Sequence, residues 1–169
     1  MRKFVFKFFI FAMALWMFPY AAFGKNKVLV ISPCALKPQE SAMDNVTWYA
    51  HNTAFYFDTA LTETYYAVAP VYLPYKAKVR RFYLIATDNG GNEYVGASLQ
   101  RHEMTTGNLD TVVSSSSFGA ANDPGRRIFY GGYIIGPEVD YNYTYNLKVY
   151  FSRPSSKVKF HGAVIIYAE

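Results

Sequence analysis

From residue 141 to 151 the chain reads YNYTYNLKVYF, with Tyr141, Tyr143, Tyr145, Leu147, Val149 and Phe151 at every second position and Asn142, Thr144, Asn146 and Lys148 between them. Successive side chains of a strand point to opposite faces, so this row predicts a strand with one face on a core and the other in water. The same period, or short runs of β-branched and aromatic residues, recurs throughout the chain after residue 25. It marks KVLVIS (27–32), VTWYAHNTAFYF (46–57), TYYAVAPVYL (64–73), AKVRRFYLIATD (77–88), EYVGASLQRHE (93–103), NLDTVVSSSSF (108–118), RRIFYGGYIIG (126–136) and KVKFHGAVIIYA (157–168) as further strands. No stretch of ten or more residues there carries a capped helical period. Eight or nine short strands with turn residues between them predict an all-β fold: a single antiparallel β-sandwich, jelly-roll or immunoglobulin-like.

Glycine and proline sharpen the reading. Pro70 confines the third strand to an edge or a bulge, and Pro74 ends it. Asn89-Gly90-Gly91, within DNGGNE, offers the positive φ of a tight hairpin, and ANDPG (121–125) reads as a β-turn. In the last strand Val158, Phe160, Val164 and Ile166 are expected on one face, with Ile165 and Tyr167 making the other apolar too, which puts that strand in the middle of a sheet. In 141–151, Leu147, Val149 and Phe151 are expected in the core, while Tyr141 and Tyr143 reach the rim, where a phenol can stay wet.

The first 24 residues follow a different rule. Arg2, Lys3 and Lys7 precede an apolar run, residues 8–18, closed by Pro19, and Ala22-Phe23-Gly24 places small residues before Lys25. That order predicts a signal peptide cleaved after Gly24, leaving a β-sandwich domain over residues 25–169. The apolar run is shorter than the roughly 20 residues a membrane-spanning helix needs, so no membrane span is expected after cleavage. The expected location is secreted, periplasmic or cell-surface.

Charge is recalculated once the leader is set aside. It carries three of the 17 Lys and Arg residues and none of the 12 Asp and Glu residues, so 14 against 12 leaves a net charge of +2. Arg80-Arg81 and Arg126-Arg127 are isolated pairs, and nucleic-acid binding, which needs a clustered basic face, is excluded. Cys34 is the single cysteine. It cannot form an internal disulfide, and is either a buried small hydrophobe or a thiol available between chains.

Several of these stretches together resemble a family. PCALKPQES, VAPVYLPYKAKVRRFYLIATDNGGNEYVGASLQR, YNYTYNLKVYF and the closing VKFHGAVIIY are similar to a widespread, poorly characterised family of secreted bacterial β-sandwich modules. The resemblance covers nearly all of the chain after the leader and rests on strand and turn patterns. It implies fold and export, and carries over no catalytic residues.

Catalytic and metal-binding patterns are absent from the sequence. His51, His102 and His161 fall in three different strands at no metal-ligand spacing, no Gly-x-Ser-x-Gly elbow occurs, and adjacent His102 and Glu103 point to opposite faces. Glu138 and Asp140 can share a face but read as solvated turn carboxylates. Asp88, Asn89, Asn92 and Glu93 offer oxygen atoms in a loop matching no calcium pattern. No catalytic residue, metal ligand or cofactor is assigned. The sequence instead favours a non-catalytic module that binds an extracellular glycan or protein, or self-associates, because about 23 aromatic residues follow the leader. The candidate ligand platform is Trp48, Tyr49, Tyr141 and Tyr143. Two alternatives from other classes are a small eight-stranded outer-membrane β-barrel and a secreted hydrolase whose site assembles from separate strands.

Overall fold

A computed structural model of the chain describes residues 25–39, 47–51, 53–58, 60–119 and 123–169. The leader, residues 1–24, and residues 121–122 of the expected ANDPG turn lie outside the described residues. Eleven strands occur among those described: β1 Asn26–Ile31, β2 Lys37–Pro38, β3 Trp48–Ala50, β4 Phe55–Phe57, β5 Thr64–Val71, β6 Lys78–Asp88, β7 Tyr94–Glu103, β8 Leu109–Ser116, β9 Asp123–Tyr133, β10 Tyr143–Ser152 and β11 Val158–Ala168, with one 3-10 turn at Pro33–Ala35. They form two antiparallel sheets. The first runs β3-β4-β11-β6-β9, with β1 also paired to β11; the second runs β2-β5-β10-β7-β8. The two sheets are open and stacked, not one closed barrel, so the fold is the all-β sandwich and the barrel alternative is set aside.

The core lies between the sheets. Phe55, Phe57, Phe82, Leu84, Phe160 and Ile165 project from the first sheet, and Val95, Leu99, Leu147, Val149 and Phe151 from the second, all fully buried. Phe151 meets Phe57 edge-on at 5.2 Å between ring centroids, a favourable geometry for the ring quadrupoles. Leu147, Val149 and Phe151 therefore occupy the core as their alternation requires.

The chain crosses between sheets more often than adjacent strands would suggest. β6 and β7 belong to different sheets, so DNGGNE is a crossover and not a hairpin. Neither Gly90 nor Gly91 takes a positive φ; the Gly90 N–H donates to Asp88 Oδ1 at 3.2 Å, and the aspartate itself turns the backbone. The expected second strand is a hairpin of two three-residue strands, in which Trp48 pairs with Phe57. Pro124 and Gly125, expected in a turn, lie within β9. Pro70 sits where the sequence placed it: β5 pairs with β10 along its length but with β2 only at Ala67 and Val68, leaving the proline no second ladder partner to offend.

The closing strand occupies the middle of its sheet, between β6 and the shared edge of β1 and β4. Its alternation is not the simple one. A register shift between Phe160 and Gly162 puts Val158, Phe160, Ala163 and Ile165 inward, so Val164 and Ile166 face the opposite side from Val158 and Phe160. Gly162 has φ 147 and passes Ile31 so closely that a Cβ there would lie 3.0 Å from its carbonyl oxygen. Such bulges change which face a side chain takes. Cys34 is exposed, contrary to the buried reading, with its Sγ 3.0 Å from Ser32 Oγ.

Candidate functional site: an aromatic cleft at one end of the sandwich

Three connections converge where β5 and β7 end and β10 begins. The β5–β6 loop brings Tyr72, Leu73 and Tyr75; the β9–β10 loop brings Val139, Asp140 and Tyr141; the β7–β8 turn brings Met104. With Pro70, Val71 and the start of β10 they line an open cleft of about 520 Å³, inside the roughly 300–1,000 Å³ range of small-ligand sites. Tyr72 and Tyr141 are 83% and 71% exposed. Tyr75 and Tyr141 stack with ring centroids 4.0 Å apart and planes 11° from parallel.

Backbone hydrogen bonds fix these loops to one another. The Lys76 N–H donates to Val139 O at 2.8 Å, and the Val139 N–H donates to Ala77 O at 2.9 Å, a reciprocal pair joining the two tyrosine-bearing loops. Lys76 takes φ 64 to make it, a left-handed conformation that costs a lysine free energy and is kept where surrounding structure demands it. Outside this pair, Lys78 Nζ lies 2.8 Å from Glu138 Oε1, and the ammonium holds the Glu138 carboxyl below its usual range. Asp140 Oδ1 accepts from the Asn142 N–H at 2.9 Å, and Asn142 O accepts from the Met104 N–H at 2.8 Å. Tyr141 thus stands on a turn anchored on both sides.

Beneath the exposed rings lies Tyr145, only 6% exposed. Its hydroxyl is buried without a hydrogen-bond partner, and burial pushes its ionisation upward. Tyr143 is half-buried, with the Arg101 guanidinium 4.7 Å from its ring centre. That guanidinium also binds Asp110 at 2.8 Å, and the carboxylate raises its pKa. Asp140 is the one charged residue among those lining the cleft.

The four platform residues expected from sequence fall into two places. Tyr141 and Tyr143 line the cleft. Trp48 and Tyr49 lie on the β3–β4 hairpin, where Trp48 stacks on Phe55 at 5.5 Å and Tyr49 stacks on Tyr56 at 5.3 Å. Sequence reasoning missed Tyr72 and Tyr75, whose signal was an aromatic pair flanking Pro74 in a loop, where exposed rings are seldom needed for packing. Of the histidines, His51 stacks on Tyr49 at 5.8 Å, and His161 is held by its ring nitrogens: its Nδ1 donates to Thr53 O at 2.6 Å, while Nε2 lies 2.8 Å from Thr87 Oγ1. Among the described residues no group of three or more His, Cys, Asp or Glu side chains could hold a metal ion, and no helix is long and apolar enough to cross a membrane.

No protein-family model and no curated protein matches the chain. Solved structures do resemble it. One is the CBM22-1–GH10 module pair of Clostridium thermocellum endo-1,4-beta-D-xylanase 10B, complexed with xylohexaose, at TM-score 0.51 and 9% identity; the match covers 82% of this chain and 27% of that one. A carbohydrate-binding module studied for specific mannan recognition matches at TM-score 0.45 and 11% identity, over 86% of this chain and 99% of its own. Murine APRIL matches at TM-score 0.39 and 11% identity, over 86% and 100%. At these identities the likeness is one of fold, a β-sandwich shared with carbohydrate-binding modules.

Proposed function

We propose that the protein is an exported, non-catalytic glycan-binding module and that the Tyr72–Tyr75–Tyr141 cleft is its binding site. The observation carrying this reading is the exposed Tyr75–Tyr141 stack, held on two hydrogen-bonded loops above a cleft of ligand size. A pyranose ring presents C–H groups on its faces and hydroxyls around its edge. It gains from lying on an aromatic face while its hydroxyls find polar partners, and Asp140, Thr144 and Asn146 beside the rings supply these. A platform already fixed by backbone bonds loses little freedom on binding. The Lys76 ammonium, 5.5 Å from the Tyr75 ring centre, offsets the Asp140 carboxylate, so the cleft offers no excess of either charge to draw an ionised ligand and the proposed ligand is a neutral glycan. The fold's resemblance to a xylanase module pair complexed with xylohexaose agrees with this reading.

Isothermal titration of the full chain against neutral oligosaccharides of xylose, mannose, glucose and galactose, with a polygalacturonate as the acidic control, tests the proposal. Saturable binding of a neutral glycan, weakened by Tyr75→Ala, supports it. Absence of binding across the panel, or binding untouched by that substitution, overturns it.

A further inference from the structure

Plain alternation would turn Arg80 and Arg81 to opposite faces of β6, yet both face away from the core. After them Phe82, Leu84 and Ala86 are buried; before them Ala77 and Val79 are, so the inward phase changes across the two arginines. The cause is a bulge. Ile166 pairs with Arg81 and Tyr167 with Val79, which leaves Arg80 as the extra residue against β11. On the other side of β6 a second bulge lies in β9, where Gly131 and Gly132 together oppose Phe82, with Gly132 at φ 105. Gly131 is pressed against β8, where a Cβ would lie 2.8 Å from Ser114 O. This shift puts Tyr133 on the outer face together with Tyr130, both exposed. Val28, Ile166, Arg81 and Tyr133 then form one row across β1, β11, β6 and β9. Bulges that re-aim side chains in this way occur preferentially beside functional sites.

Around the two bulges Asn26, Val28, Arg80, Arg81, Tyr133 and Ile166 line a cavity of about 410 Å³ whose lining holds no Asp or Glu, a volume suited to a small ligand. The neighbouring lysines are already paired, Lys27 with Glu169 and Lys78 with Glu138. Among the described residues neither Arg80 nor Arg81 has a carboxylate partner. Arg81 is held instead by the Tyr83 hydroxyl, which raises its pKa. Two guanidiniums brought to one cavity repel each other, and an anion between them offsets that repulsion. The geometry points to a binding site separate from the tyrosine cleft: Arg80 and Arg81 take the oxyanion group of a small acidic ligand, whose ring lies against Tyr133, Val28 and Ile166. Each guanidinium presents a planar fork of N–H donors that matches carboxylate, sulfate or phosphate oxygens. The Asn26 amide and the Tyr133 hydroxyl add donors beside them. The apolar wall favours an oxyanion carried on a ring, such as an acidic sugar or an aromatic acid, over a bare inorganic ion. This cavity shares no lining residue with the cleft, so it stands independently of the neutral-glycan reading.

Chemical-shift titration of the full chain by NMR at low ionic strength tests the inference, with glucuronate, phenyl phosphate and inorganic phosphate as probes and glucose as the neutral control. The expected result is saturable binding of glucuronate or phenyl phosphate, with shifts centred on the amides of Asn26, Val28, Arg80, Arg81 and Tyr133, weakening as salt is added. Inorganic phosphate binds more weakly and glucose does not shift these amides. Affinity falls about tenfold or more in Arg80→Gln/Arg81→Gln, whose melting temperature stays within a few degrees of the parent because both side chains face outward. Tyr75→Ala leaves anion binding unchanged, which separates a failure here from a failure of the cleft. Absence of saturable binding by either ring-bearing anion, inorganic phosphate bound as tightly as they are, or affinity unaltered in the double glutamine variant each overturns it. So does co-sedimentation with phosphatidylglycerol vesicles when no soluble probe binds, since the arginines would then be a membrane-surface patch.

Discussion

Tyr75 and Tyr141 stack 4.0 Å apart although one stands on the connection between β5 and β6 and the other on that between β9 and β10. Neither ring is core, and their contact depends on the Lys76–Val139 backbone pair beneath them. Tyr141→Ala is expected to weaken glycan binding about tenfold, ~1.4 kcal/mol, while lowering stability by under about 1 kcal/mol, because the ring is largely solvent-exposed. Calorimetric binding and a thermal melt on the same preparation check this. A variant that unfolds as readily as a core mutant would place Tyr141 in the packing and not on a platform.

Tyr145→Phe removes a buried hydroxyl that has no partner. Losing an unsatisfied polar group relieves its desolvation cost, so the variant should be as stable as the parent or up to about 1 kcal/mol more stable. Urea denaturation measures it. Clear destabilisation would mean that the hydroxyl is hydrogen-bonded in solution.

Gly162→Ala forces a side chain into φ 147 and against Ile31 O. About 1–3 kcal/mol should be lost, and with it the register between β1 and β11. Hydrogen exchange at β1 is the sensitive measurement, and unchanged protection there would show that the bulge adapts.

His161 titrates below its ordinary value of 6.5, chiefly because partial burial disfavours the imidazolium, although the bond to Thr53 O pulls the other way. A lowered folded-state pKa means the unfolded chain takes up the proton first. The contribution to stability is complete above pH 6.5 and declines as the pH falls from there through the folded pKa. Melting temperature should drop between pH 7.5 and 5 in the parent, and His161→Gln should flatten that slope. An identical slope in both would move the acid sensitivity to the carboxylates.

Local alternation was enough to locate most strands and to separate Leu147, Val149 and Phe151 from their polar neighbours, because strand geometry fixes each side chain's face relative to the next. Pro70 likewise announced an edge, since a missing N–H has the same consequence wherever the strand pairs. The phase of β11 was not legible: its reversal lies at a bulge against β6, where Phe160 pairs with Ala86 and Gly162 with Ile85, a pairing with a strand distant in sequence. Nor did DNGGNE reveal that it bridges two sheets, because a turn sequence specifies local dihedrals and not the strand received beyond it.

The sequence by itself therefore determined the β class, the core residues of β10 and an aromatic content beyond what the core uses. Only the tertiary structure decided which aromatics share a surface. It separated Trp48 and Tyr49 from Tyr141, joined Tyr72 and Tyr75 to it, and aligned Val30, Val164, Tyr83 and Tyr130 across four strands. Those groupings depend on pairing between segments distant in the chain, which no local pattern of hydrophobic and polar positions encodes.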